Sequence, residues 1–535
     1  MGNSLSRRRV VTLGAGAAAA LPLAGAAVTT TAGPAAAEPY GFGNAPGRVF
    51  DVRQFGAKGD GVTIDTRAIN RAIDAAAAAG KGHGGGPGGT VYFPAGTYAS
   101  YSIHLRSNVA LYLAANATIL GATPANGQGY DPAEPGAGNN FQDFGHSHWH
   151  NSLIWGEGLE NIWIYGPGKI DGKGLIRSGS QESAPLQGNK AIALKLCRNV
   201  AIHDITIVNG GHFGILPTGV DNFRIDSVVI DTNRDGINVD CCKNVRISNT
   251  TVNSPNDDAI VLKSSYALNE ARATENVTID NCFVSGYDLG TLVDGTFKTS
   301  STYGRTGRVK FGTESNGGFR NIAISNVIFE YCRGLALETV DGGLLEDVTI
   351  SNLTMRNVQM PIFMRLGARM RGPAGVPVGA LRRVSISNVI AHNSDPRYPS
   401  CIAGIPGHDI EDVRISDVRH HLVGGLTPGD AVADPPEAID AYPEPTMFGT
   451  LPAYGFFIRH ARGVTLDNVE VRYEQQDTRP AFTVRNATDT DFHHTRADKA
   501  AGAPTFALDS VDEFLLTVSR PVADAHFDHV DHQEL

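Results

Sequence analysis

The feature that most constrains this chain is a short phrase, Asn/Asp–Val/Ile–x–Ile–x–Asn/Asp, that keeps returning. It reads NIWIYG at 161, NVAIHD at 199, NFRIDS at 222, NVRISN at 244, NVTIDN at 276, NIAISN at 321, DVTISN at 347, RVSISN at 383, DVRISD at 412 and GVTLDN at 463. Each copy alternates β-branched and polar residues, the pattern of a half-buried strand. The closest copies are 22 and 23 residues apart, and no helical pattern intervenes. One such unit cannot bury its apolar face alone, so the copies must stack. The pattern predicts an all-β fold, a right-handed parallel β-helix, with aligned asparagines hydrogen-bonding between coils. A leucine-rich solenoid lacks its Leu-x-x-Leu-x-Leu phrase here, and a propeller needs longer repeats with aromatic signatures.

The ends of a solenoid need covers. TRAINRAIDAAAAAG, from Thr66, places Ile69, Ala72, Ile73 and Ala76 on one face and ends at Gly80, which predicts an N-terminal capping helix. KGHGGGPGG at 81–89 lacks the GK[ST] ending of a phosphate loop and reads as a connector. The Pro-, Gly- and Asp-rich stretch 424–453 reads as a long insertion that shapes a cleft. The expected organisation is a signal segment at 1–37, a cap with the first coils at 47–125, a β-helix catalytic domain at 126–500 and a C-terminal tail at 501–535.

Arg7-Arg8-Arg9 precede a mild apolar run broken by Pro22. This is the pattern of a twin-arginine export signal, which predicts a secreted or periplasmic protein that meets the Tat translocase. No membrane association is expected after cleavage. The net charge of −10 argues against nonspecific nucleic-acid binding. The six cysteines lack zinc spacing and read as small buried hydrophobes. Neither a cofactor nor a metal is expected. FGHSHWH offers His146, His148 and His150 at alternating positions, but no partnered acid accompanies them.

Candidate chemistry lies in NRDGINVDCCKNVRISNTTVNSPNDDAIVLKSS, where Asp257 and Asp258 follow Asp235 by 22 and 23 residues. One coil on, the pair falls beside Asp235. Both can face one cleft only if Pro255-Asn256 makes a turn. Three carboxylates on one surface repel, so at least one should be protonated near neutral pH. Such a set suits inverting glycoside hydrolysis, with one acid protonating the leaving oxygen and carboxylates activating water.

Asn233-Arg234-Asp235-Gly236 and Asp257-Asp258 resemble the Asn-Thr-Asp-Gly and Asp-Asp motifs of glycoside hydrolase family 28, the pectin-degrading polygalacturonase family. The likeness runs from FGAKGDG near 55 to about 475. It implies Asp257 as general acid, Asp235 and Asp258 as holders of the water, and a pectic polysaccharide or oligosaccharide as substrate. The chain departs from the family twice. Gly307-Arg308-Val309-Lys310 stands where the family has Gly-His-Gly, and Leu335-Ala336-Leu337-Glu338-Thr339 where it has Arg-Ile-Lys. With no cation at 336 or 338, a galacturonate is expected to meet Glu338 uncompensated, which would favour branched or rhamnose-containing pectin. Asn233, His212, Lys263, Arg308, Lys310 and Glu338 are the expected substrate contacts, and Arg365, Arg369 and Arg371 form a basic loop. Two alternatives remain, a β-helix polysaccharide lyase and a non-catalytic carbohydrate-binding β-helix. A lyase would need a cation beside the uronate and a base for the C5 proton, which this motif set does not supply.

Overall fold

The computed structural model describes residues 48–80, 88–135, 141–177, 182–299 and 305–535. The expected signal segment at 1–37 and most of the 81–89 connector lie outside them. The described strands form one sheet that winds as a right-handed parallel β-helix, every pairing parallel except the last. A typical coil holds three short strands, such as Phe213–Thr218, Asp221–Asp226 and Val229–Asp231, and the next repeats them as Asp235–Asp240, Lys243–Ser248 and Thr251–Asn253. The coil length explains the spacing of the sequence phrase.

Stacking turns the period-2 pattern into columns. Ile192, Ile215, Ile237, Ile260, Val309, Leu335 and Ile362 lie in register along one wall. Ile202, Ile225, Ile247, Ile279, Ile324, Ile350, Ile386 and Ile415 line the next. All are essentially buried, and each isoleucine contributes roughly 1.5–3 kcal/mol of apolar burial. The six cysteines are buried and unpaired, as their apolar surroundings in the sequence suggest.

The phrase's first asparagine marks a bend. Asn161, Asn199, Asn222, Asn244, Asn276 and Asn321 all take φ near +55 to +60°, a left-handed conformation that asparagine tolerates better than other side chains. Each donates its Nδ2 to the Oδ1 of the asparagine one coil below, over 2.6–3.1 Å. This is the ladder expected from the sequence.

The capping helix spans Thr66–Ala79 and buries Ala68, Ile69, Ala72, Ile73 and Ala76 over the first coil. At the other end, residues read as a tail join the sheet. Phe506–Thr517 forms the final parallel rung, and Ala525–Glu534 closes it antiparallel. The 424–453 insertion folds back over the outer face of the coils. Its Phe448 and Leu451 pack on Ala336, Met360, Phe363, Cys401 and Phe457.

Candidate active site

The strand Asp235–Asp240 stacks on Ile260–Ser264 with Ile237 opposite Ile260. Carried back two residues, this register sets Asp258 beside Asp235 and Asp257 beside Arg234. Asp257 and Asp258 precede their strand, in the turn begun by Pro255-Asn256, so strand alternation does not separate them. Oxygens of all three carboxylates lie within 4.8 Å of one another.

Three carboxyl groups so close need different environments, and the fold supplies them. Asp235 is buried and accepts a hydrogen bond from Asn238 Nδ2 at 2.6 Å. Burial, and then the charge of Asp257, push its pKa well above the usual carboxylate range. Asp258 is equally buried, but Arg308 Nε donates to it at 2.6 Å and Lys310 Nζ lies 3.7 Å away. Desolvation works against its charge, yet Arg308, Lys310 and Lys263 prevail and draw its pKa down to about 2. Asp257 is the most accessible, with 23% of its side chain exposed, and pairs with Arg234 at 2.6 Å. The site thus sets an acid whose neutral form is favoured beside an acid whose charge is favoured, with a third at the rim. A divalent cation could bridge such a cluster, but Arg234 and Arg308 already balance two of its charges.

Around the acids is a buried charge network. Arg308 also reaches Glu444 of the insertion at 3.2 Å, and Arg333 holds the same glutamate at 2.5 Å. Lys310 donates to Thr313 Oγ1 at 2.9 Å and sits 5.2 Å from the ring centre of Tyr442, also on the insertion. Lys263 is buried and paired with Glu314 at 2.8 Å, a glutamate shared with Arg369. Arg308 and Lys310 therefore pair with Asp258, Glu338 and Glu444.

Several expected contacts stand elsewhere than on a sugar-facing surface. Glu338 is fully buried, 3.4 Å from Lys310 and 3.9 Å from Arg308. The expectation of an uncompensated Glu338 is corrected: two cations face it, and the insertion covers Ala336, so the chain itself fills that subsite. The predicted preference for branched pectin loses its premise. His212 is buried, held by Glu182 through Nδ1 at 2.5 Å and stacked on Phe213. Burial lowers its pKa despite Glu182. Asn233 is half-buried in the turn before Asp235, its carbonyl accepting from Asn256 N at 3.2 Å.

His146, His148 and His150 separate. His146 faces Asn238, His148 stacks on Phe144, and His150 pairs with Glu157. Among the arginines read as a loop, Arg365 is buried and fastens the insertion, donating to the carbonyls of Glu437 and Ala438. Arg369 pairs with Asp341, and Arg371 reaches Asp143 at 3.2 Å.

Sequence reasoning missed Arg234, Tyr442 and Glu444. Arg234 was legible in principle, since it precedes Asp257 by one coil of 23 residues. Glu444 arrives from 136 residues beyond Arg308, and no local pattern announces it.

Comparison with known proteins gives the site a context. Residues 136–288, which contain all three acids, match the model of the glycosyl hydrolases family 28, and residues 49–209 match the rhamnogalacturonase A/epimerase, pectate lyase-like model. A probable polygalacturonase of Vitis vinifera is 25% identical over 75% of this chain and 80% of its own length. Among solved structures, a family 28 exopolygalacturonase of Yersinia enterocolitica superposes with a TM-score of 0.59 at 19% identity, over 89% of this chain and 79% of that one. A hyperthermoactive exopolygalacturonase of Thermotoga maritima gives 0.56 at 18% identity, over 92% and 95%. The segment that matches glycosyl hydrolases family 28 contains all three carboxylates, and the similarity to polygalacturonases over three quarters of the chain is that of a glycosidase.

Proposed function

We propose that this protein is an exported enzyme that hydrolyses a pectic, polygalacturonate-like polysaccharide with inversion at the anomeric carbon. The observation that carries the reading is the division of labour among Asp235, Asp257 and Asp258 at one lip of the solenoid. Asp258, held ionised by Arg308, is suited to take a proton from water, and Asp235 lies beside it to fix that water. Asp257, the most exposed of the three, is placed to protonate the departing sugar oxygen. Substrate class follows from the similarity to polygalacturonases, and export from Arg7-Arg8-Arg9 and the run behind them.

The carboxylate oxygens lie within 4.8 Å, closer than the roughly 6.5–9.5 Å gap between carboxyls typical of inverting enzymes. The proposal therefore seats the water against Asp235 and Asp258 together rather than in a wide gap. Proton NMR of the first products from α-linked galacturonan decides: a β-anomer supports inversion and an α-anomer overturns it. An unsaturated product absorbing in the ultraviolet would indicate a lyase instead. Cell fractionation tests export, with the shortened chain expected outside the cytoplasm.

A further inference from the structure

The ion pair between Arg234 and Asp257 conflicts with the role given to Asp257. A general acid must carry a proton, whereas a carboxylate at 2.6 Å from a guanidinium is ionised. Something must separate them before the glycosidic oxygen can be protonated.

Arg234 is built to let go. It stands where the Asn-Thr-Asp-Gly motif has threonine, and the one-coil offset brings it under Asp257. Its side chain is 28% exposed at the rim of the acids. Its Nε is buried without a hydrogen-bond partner among the described residues. The remaining charged neighbours are engaged behind it: Glu182 with His212, Lys263 with Glu314, and Arg308 with Asp258 and Glu444. The cations Arg308, Lys310 and Lys263 are buried and paired, so Arg234 is the cation of this cluster that an incoming sugar can reach.

Resting on the reading of the substrate as a uronate polymer, we propose that Arg234 is its specificity residue: it takes the carboxylate of an acidic sugar and, in releasing Asp257, makes Asp257 the general acid. The proton is already in the site. Asp235 is its natural holder in the free enzyme: it is buried beside Asp258 with all three carboxylates within 4.8 Å, and burial and the Asp257 charge favour its neutral form. Once Arg234 pairs with the sugar, a proton passes from Asp235 to Asp257, leaving Asp235 and Asp258 ionised beside the water. Asp257 gives that proton to the glycosidic oxygen as the C1–O bond breaks. Water oxygen bonds to C1 and its proton goes to Asp258, so charge and protons balance. A neutral sugar cannot draw Arg234 away, and the acid stays unarmed.

Calorimetric binding of trigalacturonate and of its methyl ester tests this. Arg234→Gln should weaken binding of the acid at least tenfold and change the ester by less than twofold, with Arg234→Lys restoring part of the loss. Asp257→Asn frees Arg234 and should bind the acid several-fold more tightly than the native protein. The double variant Asp257→Asn/Arg234→Gln, which leaves no unpaired charge at this pair, should lose that gain. On turnover, Arg234→Gln should raise KM for the acid form and, by leaving Asp257 unpaired, permit turnover of the ester, which the native enzyme leaves uncut. Equal losses for acid and ester, or equal affinity of the double variant and Asp257→Asn alone, would overturn the proposal. Release of reducing ends from polygalacturonate by the native enzyme is read separately. If binding behaves as described and no reducing ends form, the hydrolase reading of the substrate fails while the role of Arg234 in binding stands.

Discussion

Two columns of side chains climb this solenoid at the same spacing of about 4.8 Å. In one, Asn199, Asn222, Asn244, Asn276 and Asn321 stack, and each amide satisfies the next. In the other, Asp235 and Asp258 stack, and like charges meet. An amide carries a donor and an acceptor, so its column is self-complementary and needs nothing from elsewhere. A carboxylate offers only acceptors when ionised. Its column must import cations or keep a proton, and this one does both, with Arg308 on Asp258 and the proton on Asp235. The repeat is the scaffold, and the chemistry sits where the repeat cannot satisfy itself.

Breaking the imported half of the acid column should give the largest effect. Arg308→Met takes the guanidinium from Asp258, Glu338 and Glu444, leaving only Lys310 and Arg333 to face them, and the loss of one partner of a buried ion pair costs about 3–5 kcal/mol. Urea unfolding should show a loss of that size, together with loosening of the insertion, seen as protease cleavage between 424 and 453. Unchanged stability would mean the network does not hold the acids.

Glu338 sharpens the comparison by pH. Burial raises its pKa to about 7 although Lys310 and Arg308 oppose the rise. Between the ordinary glutamate value of about 4.3 and about 7, the native state binds the extra proton, so its contribution to stability falls as pH rises and levels off above 7. Glu338→Gln should remove that slope, gaining up to about 3 kcal/mol on the native protein between pH 4 and pH 8. Parallel stability curves would contradict this. Glu338→Lys should not build a uronate subsite; it would add a third cation beside Lys310 and Arg308 and destabilise the fold.

The smallest effect belongs to the amide column. Asn222→Ala removes two inter-coil hydrogen bonds and forces alanine into the left-handed region, a loss of about 1–2 kcal/mol with turnover unchanged. Asn222→Gly, which tolerates that backbone, should recover part of it. A matching drop in activity would tie the ladder to the site.

The contrast also marks what could be read in the chain. The solenoid is legible because coil after coil repeats one solution: β-branched residues inward and asparagine or aspartate at the bend, with 22 or 23 residues between the closest copies. The same arithmetic brings Asp235, Asp257 and Asp258 together. It could not supply their partners, since the compensation is not periodic. Glu444 and Tyr442 come from an insertion whose Pro- and Gly-rich composition says only that it is irregular. Glu338 escapes the sequence for the same reason: the resemblance puts it where the family has a substrate cation, but burial beneath the insertion is a tertiary fact.

The central claim is that Asp235, Asp257 and Asp258 act as one hydrolytic unit. The direct measurement is kcat on polygalacturonate for Asp235→Asn, Asp257→Asn and Asp258→Asn, each with its fold verified by circular dichroism. Each variant should lose about 10²–10⁴ in rate, and a double variant should lose little more than the worst single one, as groups that act together do. Native-like turnover in any of the three, or losses that multiply in the doubles, would contradict it.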